Sequence, residues 1–155
     1  MRRKKVAVSA CLLGEVCRYD GATKQDNTVI EALKDAEIIP FCPEAPVLGT
    51  PRERISVVSD DDGMKIIADE SKRDVTDLLA EEIQRFIETN PDLEQIVLKS
   101  KSPSCGLGTT PILDSGGNII GYGDGIAASM LKTAFKNTLI GDETLSRHLD
   151  KGEIL

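Results

Sequence analysis

The chain is expected to fold as an α/β domain, with a mostly parallel sheet flanked by helices and accompanied by short hairpins. Three observations lead there. Apolar runs of buried-strand length, Val6-Ala7-Val8-Ser9-Ala10, Ile38-Ile39-Pro40-Phe41 and Ile96-Val97-Leu98, are separated by stretches of helical periodicity. The first two runs enclose a short helical stretch, so β-α-β with a right-handed crossover is the natural unit. Each run then leads to a cysteine at or past its carboxyl end: Cys11, Cys42 and, after a loop, Cys105. The carboxyl edge of an open parallel sheet is where ligand sites are built.

In chain order, the first strand is Lys5–Ala10. A loop rich in Gly and polar residues follows from Cys11 to Gly21, holding Cys17, Arg18, Tyr19 and Asp20. A helix runs from Asn27 or Thr28 to about Ala36, with Val29, Ile30 and Leu33 on one face. The second strand is Glu37–Phe41. Pro43, Pro46 and Pro51 lack the N–H that regular structure uses, so Glu44–Glu53 is expected to be an ordered loop. Ile55–Val58 and Met64–Ala68 flank Asp60-Asp61-Asp62-Gly63, a hairpin turn. The three aspartates lack EF-hand spacing and read as a solvated turn rather than a calcium loop. The most regular amphipathic stretch is Asp74–Thr89, with Asp74 as N-cap and Asn90-Pro91 as its stop. A third strand, Gln95–Lys99, opens into the Cys105 loop. Pro111–Leu113 and Asn118–Ile120 form a second hairpin around Asp114-Ser115-Gly116-Gly117. Helices are expected over Gly125–Asn137 and around Asp142–Asp150.

At 155 residues the sequence reads as one domain, 1–155, large enough to bury a core without disulfides. Aromatic residues make up 3% with no Trp, and the net charge is −7. Both argue against a polynucleotide partner, which calls for stacking platforms and cationic surface. The basic cluster Arg2, Arg3, Lys4, Lys5 reads as a solvated strand entry. No apolar run has the length to span a bilayer, which points to a cytoplasmic protein without a membrane partner. The four cysteines, in a reducing compartment, then point to metal or catalysis rather than disulfides.

Structural zinc favours four ligands and paired Cys-x2-Cys knuckles, and thioredoxin-like chemistry needs Cys-x-x-Cys. Neither pattern occurs, and the lone His148 reads as a surface residue of the last helix. An iron–sulfur cluster accepts separated cysteines, one per iron corner. Three ligands on a [4Fe-4S] cube leave one iron open, a Lewis acid that favours sulfur. Cys17 competes with this reading. As a fourth ligand it would close the site and make a noncatalytic iron–sulfur or zinc protein; as a mere neighbour it leaves the iron open. A third possibility is a small-molecule binding module whose cysteines are simply buried.

Three blocks resemble the 2-thiouracil desulfurase family. The first is Ser9-Ala10-Cys11-Leu12-Leu13-Gly14 with Cys17-Arg18-Tyr19-Asp20-Gly21. The second is Phe41-Cys42-Pro43-Glu44 with Gly49-Thr50-Pro51-Arg52. The third is Lys99-Ser100-Lys101-Ser102-Pro103-Ser104-Cys105-Gly106. The resemblance implies a Rossmann-like fold and a [4Fe-4S] cofactor bound by Cys11, Cys42 and Cys105. It also implies nonredox removal of sulfur from a small thiolated pyrimidine such as 2-thiouracil. Acid/base and positioning roles fall on Glu44 and Ser102. Ala45-Pro46-Val47-Leu48 departs from the family's usual Gly-Gly-containing segment, which bears on substrate shape. On this reading Glu44 manages the proton of an attacking water, and Ser102 holds substrate or water by a hydrogen bond. The plainer roles are a Glu44 ion pair with Arg52 or Arg54, a Ser102 turn before Pro103, and an Arg18–Asp20 salt bridge. Gly106 and Gly108 are read as allowing tight backbone passage. No feature selects thiouracil over another thioamide or thiolated nucleoside.

Overall fold

Strands β1 (Lys5–Ser9), β2 (Glu37–Phe41), β5 (Gln95–Leu98) and β8 (Leu139–Asp142) form one sheet in the order β2-β1-β5-β8. All three pairings are parallel. The computed structural model describes residues 3–15, 18–21 and 24–145. Because β1 and β5 are flanked on both sides, their backbone groups are satisfied by neighbours and their side chains are buried on both faces. Val6, Ala7, Val8, Ile96, Val97 and Leu98 are all fully buried, which explains their continuous apolar runs.

Successive side chains alternate between faces. Val6, Val8 and Val97 pack under α1 (Asn27–Ala32) against Val29 and Leu33. Ala7, Ile96 and Leu98 point the other way, toward α3 (Thr76–Thr89) and α4 (Ile126–Ala134). Helix α1 begins where Asp26 accepts the Val29 N–H at 3.1 Å, an N-cap that satisfies one of the first-turn donors. For α3 (Thr76–Thr89) the N-cap is Val75 rather than the expected Asp74, which stands one residue earlier and accepts the Thr76 N–H at 3.0 Å from outside the helix.

The expected hairpins are present, and together they build a second sheet rather than ornaments on the first. β3 (Ile55–Asp60) pairs antiparallel with β4 (Gly63–Ala68), and β6 (Thr110–Leu113) with β7 (Ile119–Gly123). A parallel pairing of β3 with β6 joins them in the order β4-β3-β6-β7. Helix α3 connects the two sheets through residues one turn apart. Leu79 packs with Ile55, Val57 and Ile66 of the second sheet, while Ile83 packs with Ile96 and Leu98 of the first. Both are fully buried, and each such burial contributes about 1.5–3 kcal/mol.

Two further expectations change. Residues 44–53 contain a one-turn helix, α2 (Ala45–Leu48). Pro46 is tolerated there because it lies in the first turn, where no intrahelical N–H bond is needed. The helix expected from Asp142 is instead preceded by strand β8, followed by a short 3-10 turn over Glu143–Leu145. The remainder of that expected helix, with His148, lies outside the described residues, as does Cys17.

Candidate active site

Parallel pairing puts the carboxyl ends of β2, β1, β5 and β8 along one edge. A cleft of about 880 Å³ opens there, walled on its far side by Ser56, Pro111 and Leu113 of the second sheet. Cys11, Cys42 and Cys105 all line it. The sequence had placed each thiol at a strand end, and the sheet order makes those ends neighbours.

Each cysteine is held by a different local device. Cys11 sits in a 3-10 turn, Ala10–Leu13, directly after β1, and its carbonyl accepts the Gly14 and Lys24 N–H groups at 3.3 and 3.1 Å. Cys42 follows β2 without a break, and its Sγ accepts the Ala45 N–H at the start of α2, at 3.4 Å. Cys105 lies in the loop after β5, and its N–H donates to Ser102 Oγ at 3.1 Å. Helix α4 clamps this loop. Gly125 N–H donates to Gly106 O at 2.8 Å and Ala127 N–H to Ser104 O at 2.7 Å. Gly125 is required by that approach, and Gly106 by the fold of the loop on itself. A Cβ on Gly106 would lie 2.2 Å from Thr110 Oγ1, and one on Gly125 would lie 2.4 Å from the Ser104 carbonyl. Gly108, by contrast, is needed for its left-handed backbone, at φ 70°.

Glu44 is buried beside these thiols. Its Oε1 pairs with Arg52 Nη2 at 3.1 Å, and its Oε2 accepts from Ser104 Oγ at 2.5 Å. The ion pair expected from the sequence therefore forms with Arg52, and it does not remove Glu44 from the cleft. Arg54 serves otherwise: its guanidinium stacks 5.0 Å from the Tyr19 ring centroid, with that of Arg18 at 5.8 Å. Arg52 N–H donates to Tyr19 O at 2.6 Å, tying the first block to the second.

Burial, then the charge of Glu44 and to a lesser degree that of Cys42, pushes the Cys105 thiol up to about 12, while hydrogen bonds with Ser104 and Ser9 act in the opposite direction. Left alone, this thiol stays protonated at neutral pH, and a bound metal is the ordinary means of holding such a sulfur as thiolate. Ser102 shapes the loop: its Oγ accepts the N–H groups of both Ser104 and Cys105, at 3.3 and 3.1 Å.

The sequence reading missed three contributors. Ser104 and Ser9 are buried hydroxyls around Cys105, and only their place within the first and third blocks hinted at a role. Glu143, just past β8, accepts from Ser100 N–H at 2.7 Å, Ser100 Oγ at 2.8 Å and Lys99 Nζ at 2.7 Å. Nothing in the local sequence linked it to a loop 43 positions earlier.

The chain is similar to known proteins along most of its length. The chain is 30% identical to the uncharacterized protein YbbK of Bacillus subtilis (strain 168), over 83% of this chain and 90% of that protein. Among solved structures it is similar to the [4Fe-4S]-dependent thiouracil desulfidase TudS, with a TM-score of 0.67, 28% identity and coverage of 97% of both chains. Residues 6–143 match the 2-thiouracil desulfurase family, a span that runs from β1 to Glu143. This chain belongs to the 2-thiouracil desulfurase family.

Proposed function

We propose that this chain, acting as one α/β domain in the cytoplasm, removes the sulfur of a small thiolated pyrimidine such as 2-thiouracil and releases it as sulfide. The cofactor is a [4Fe-4S] cluster held by Cys11, Cys42 and Cys105. One observation carries the reading: three cysteines outside any disulfide, at or past the carboxyl ends of three neighbouring parallel strands, line one cleft together with a buried carboxylate.

The donor set fits the cluster. It is all sulfur, and the thiols stand at or past the carboxyl ends of three separate strands. When bound, a cluster held by three thiolates supplies an iron free of protein ligands, a Lewis acid toward sulfur.

The chain's own residues supply the rest. Overall, C=S becomes C=O, with water providing the oxygen and its protons leaving on the sulfide, and no electrons are gained or lost. Glu44, the buried carboxylate beside the thiols, takes a proton from water and returns it, and Arg52 fixes its orientation through Oε1. Ser102 is the group proposed to hold substrate or water, turning its hydroxyl proton from Ser104 to whichever is bound.

The test is sulfide release from a panel of thiolated pyrimidines by anaerobically reconstituted protein, run beside Cys17→Ser and Cys105→Ser. Cys17→Ser is expected to keep its iron and turn over, and Cys105→Ser to lose both. Equal iron loss in the two variants would replace this reading with a closed, four-ligand centre.

A further inference from the structure

We propose that Ser104 is a positioning residue for this reaction: its hydroxyl joins Glu44 and Ser102 into one hydrogen-bonded unit beside Cys105. The inference rests on the desulfidase reading above and extends it to a residue with no assigned role.

Ser104 is fully buried, so its hydroxyl must be satisfied within the protein. Its Oγ donates to Glu44 Oε2 at 2.5 Å, and it stands 3.4 Å from Ser102 Oγ and 3.7 Å from Cys105 Sγ. A serine hydroxyl has one proton to donate. With that proton on the carboxylate, the contact between the two serines runs from Ser102 as donor to Ser104 as acceptor. The direction matters, because it aligns Ser102, Ser104 and Glu44 in one sequence of bonds ending on the charge.

The unit is anchored at every member. Arg52 holds the other Glu44 oxygen at 3.1 Å. The Ser104 carbonyl accepts Ala127 N–H at 2.7 Å, and its own N–H donates to Ser102 Oγ at 3.3 Å. Gly125 presses on the Ser104 backbone closely enough that no side chain fits between them. A carboxylate held at both oxygens cannot swing away from the cleft, and such preorganisation is what an acid/base group requires. Glu44 and Ser104 are 60 positions apart in the chain, so the second and third blocks meet through this hydroxyl.

The experiment compares anaerobically reconstituted wild type, Ser104→Ala, Glu44→Gln and the double variant. Ser104→Ala keeps the Cβ and removes only the hydroxyl. Iron per chain and visible absorption of Ser104→Ala are expected to match wild type. Its dissociation constant for 2-thiouracil, read from the absorption change, should stay within about twofold while kcat falls roughly tenfold or more, as when a hydrogen bond to a charged partner is lost. Adding Ser104→Ala to Glu44→Gln should cost nothing further, because the two act as one unit. An unchanged kcat, a double variant whose loss is the product of the single losses, or loss of iron from Ser104→Ala would each overturn the proposal. If iron-loaded wild type releases no sulfide from any thiolated pyrimidine, the desulfidase reading falls and this inference with it. If wild type turns over and Ser104→Ala equals it, only the inference falls.

Discussion

Glu143 illustrates how much of the site depends on single side chains that touch no thiol. Burial works against its charge, but the hydrogen bond from Lys99, joined by two from Ser100, outweighs burial and holds the carboxyl below its usual 4.5. A depressed folded-state pKa means that the ionised group stabilises the fold fully above the unfolded value. That contribution is lost as pH falls through the lower folded value. Glu143→Gln should therefore destabilise the protein by about 1–3 kcal/mol near neutral pH. Urea unfolding should show the gap from wild type closing as pH drops below about 4; a gap of constant size down to pH 3 would remove the linkage. Legibility was uneven among the residues themselves. Cys11, Cys42 and Cys105 stood out because each follows an apolar run, and Glu44 because it lies in the second block that resembles the family. Ser104 did not, since a serine between proline and cysteine has no local mark that separates a buried donor from a turn residue.

Helix α4 and the Cys105 loop form the most closely fitted pair of elements at the site. Two backbone hydrogen bonds join them, and a Cβ on Gly125 would lie 2.8 Å from Cys105 N. Gly125→Ala must push the helix from the loop, with an expected cost of about 1–3 kcal/mol and reduced iron retention after anaerobic reconstitution. Thermal melts and iron analysis check both, and a variant as stable and as well loaded as wild type would show that the contact relaxes freely. Strand β8 marks the limit of local reading among the elements. Leu139-Ile140-Gly141-Asp142 is short, contains glycine and lies at a sheet edge, so it shows neither alternation nor a continuous apolar run. It is a strand because β5 offers it a parallel partner. Helix α2 was hidden for a different reason: a proline argues against helix everywhere except in the first turn.

Considered as one body, the protein is two sheets joined through α3, with the cleft at the carboxyl edge of the first and against a face of the second. A cluster gripping the ends of β1, β2 and β5 would bind the folded chain and not the unfolded one, so loading should raise thermal stability by mass action. Scanning calorimetry of reconstituted and metal-free protein under argon is expected to show a higher midpoint for the loaded form. Equal midpoints would mean that the thiols do not hold the metal group across the strands. No helix among the described residues is long and apolar enough to cross a membrane.

The order of strands and helices, the amphipathic faces of α1 and α3 and the strand-end positions of the three thiols are written in short stretches of chain. Periodicity and apolar run length act over a few residues, so they can be read without a partner in view. The union of the two hairpins into a second sheet, the placement of β8 and the meeting of Glu44 with Ser104 arise only on folding. Each joins segments far apart along the chain, and packing selects among partners that local pattern cannot rank.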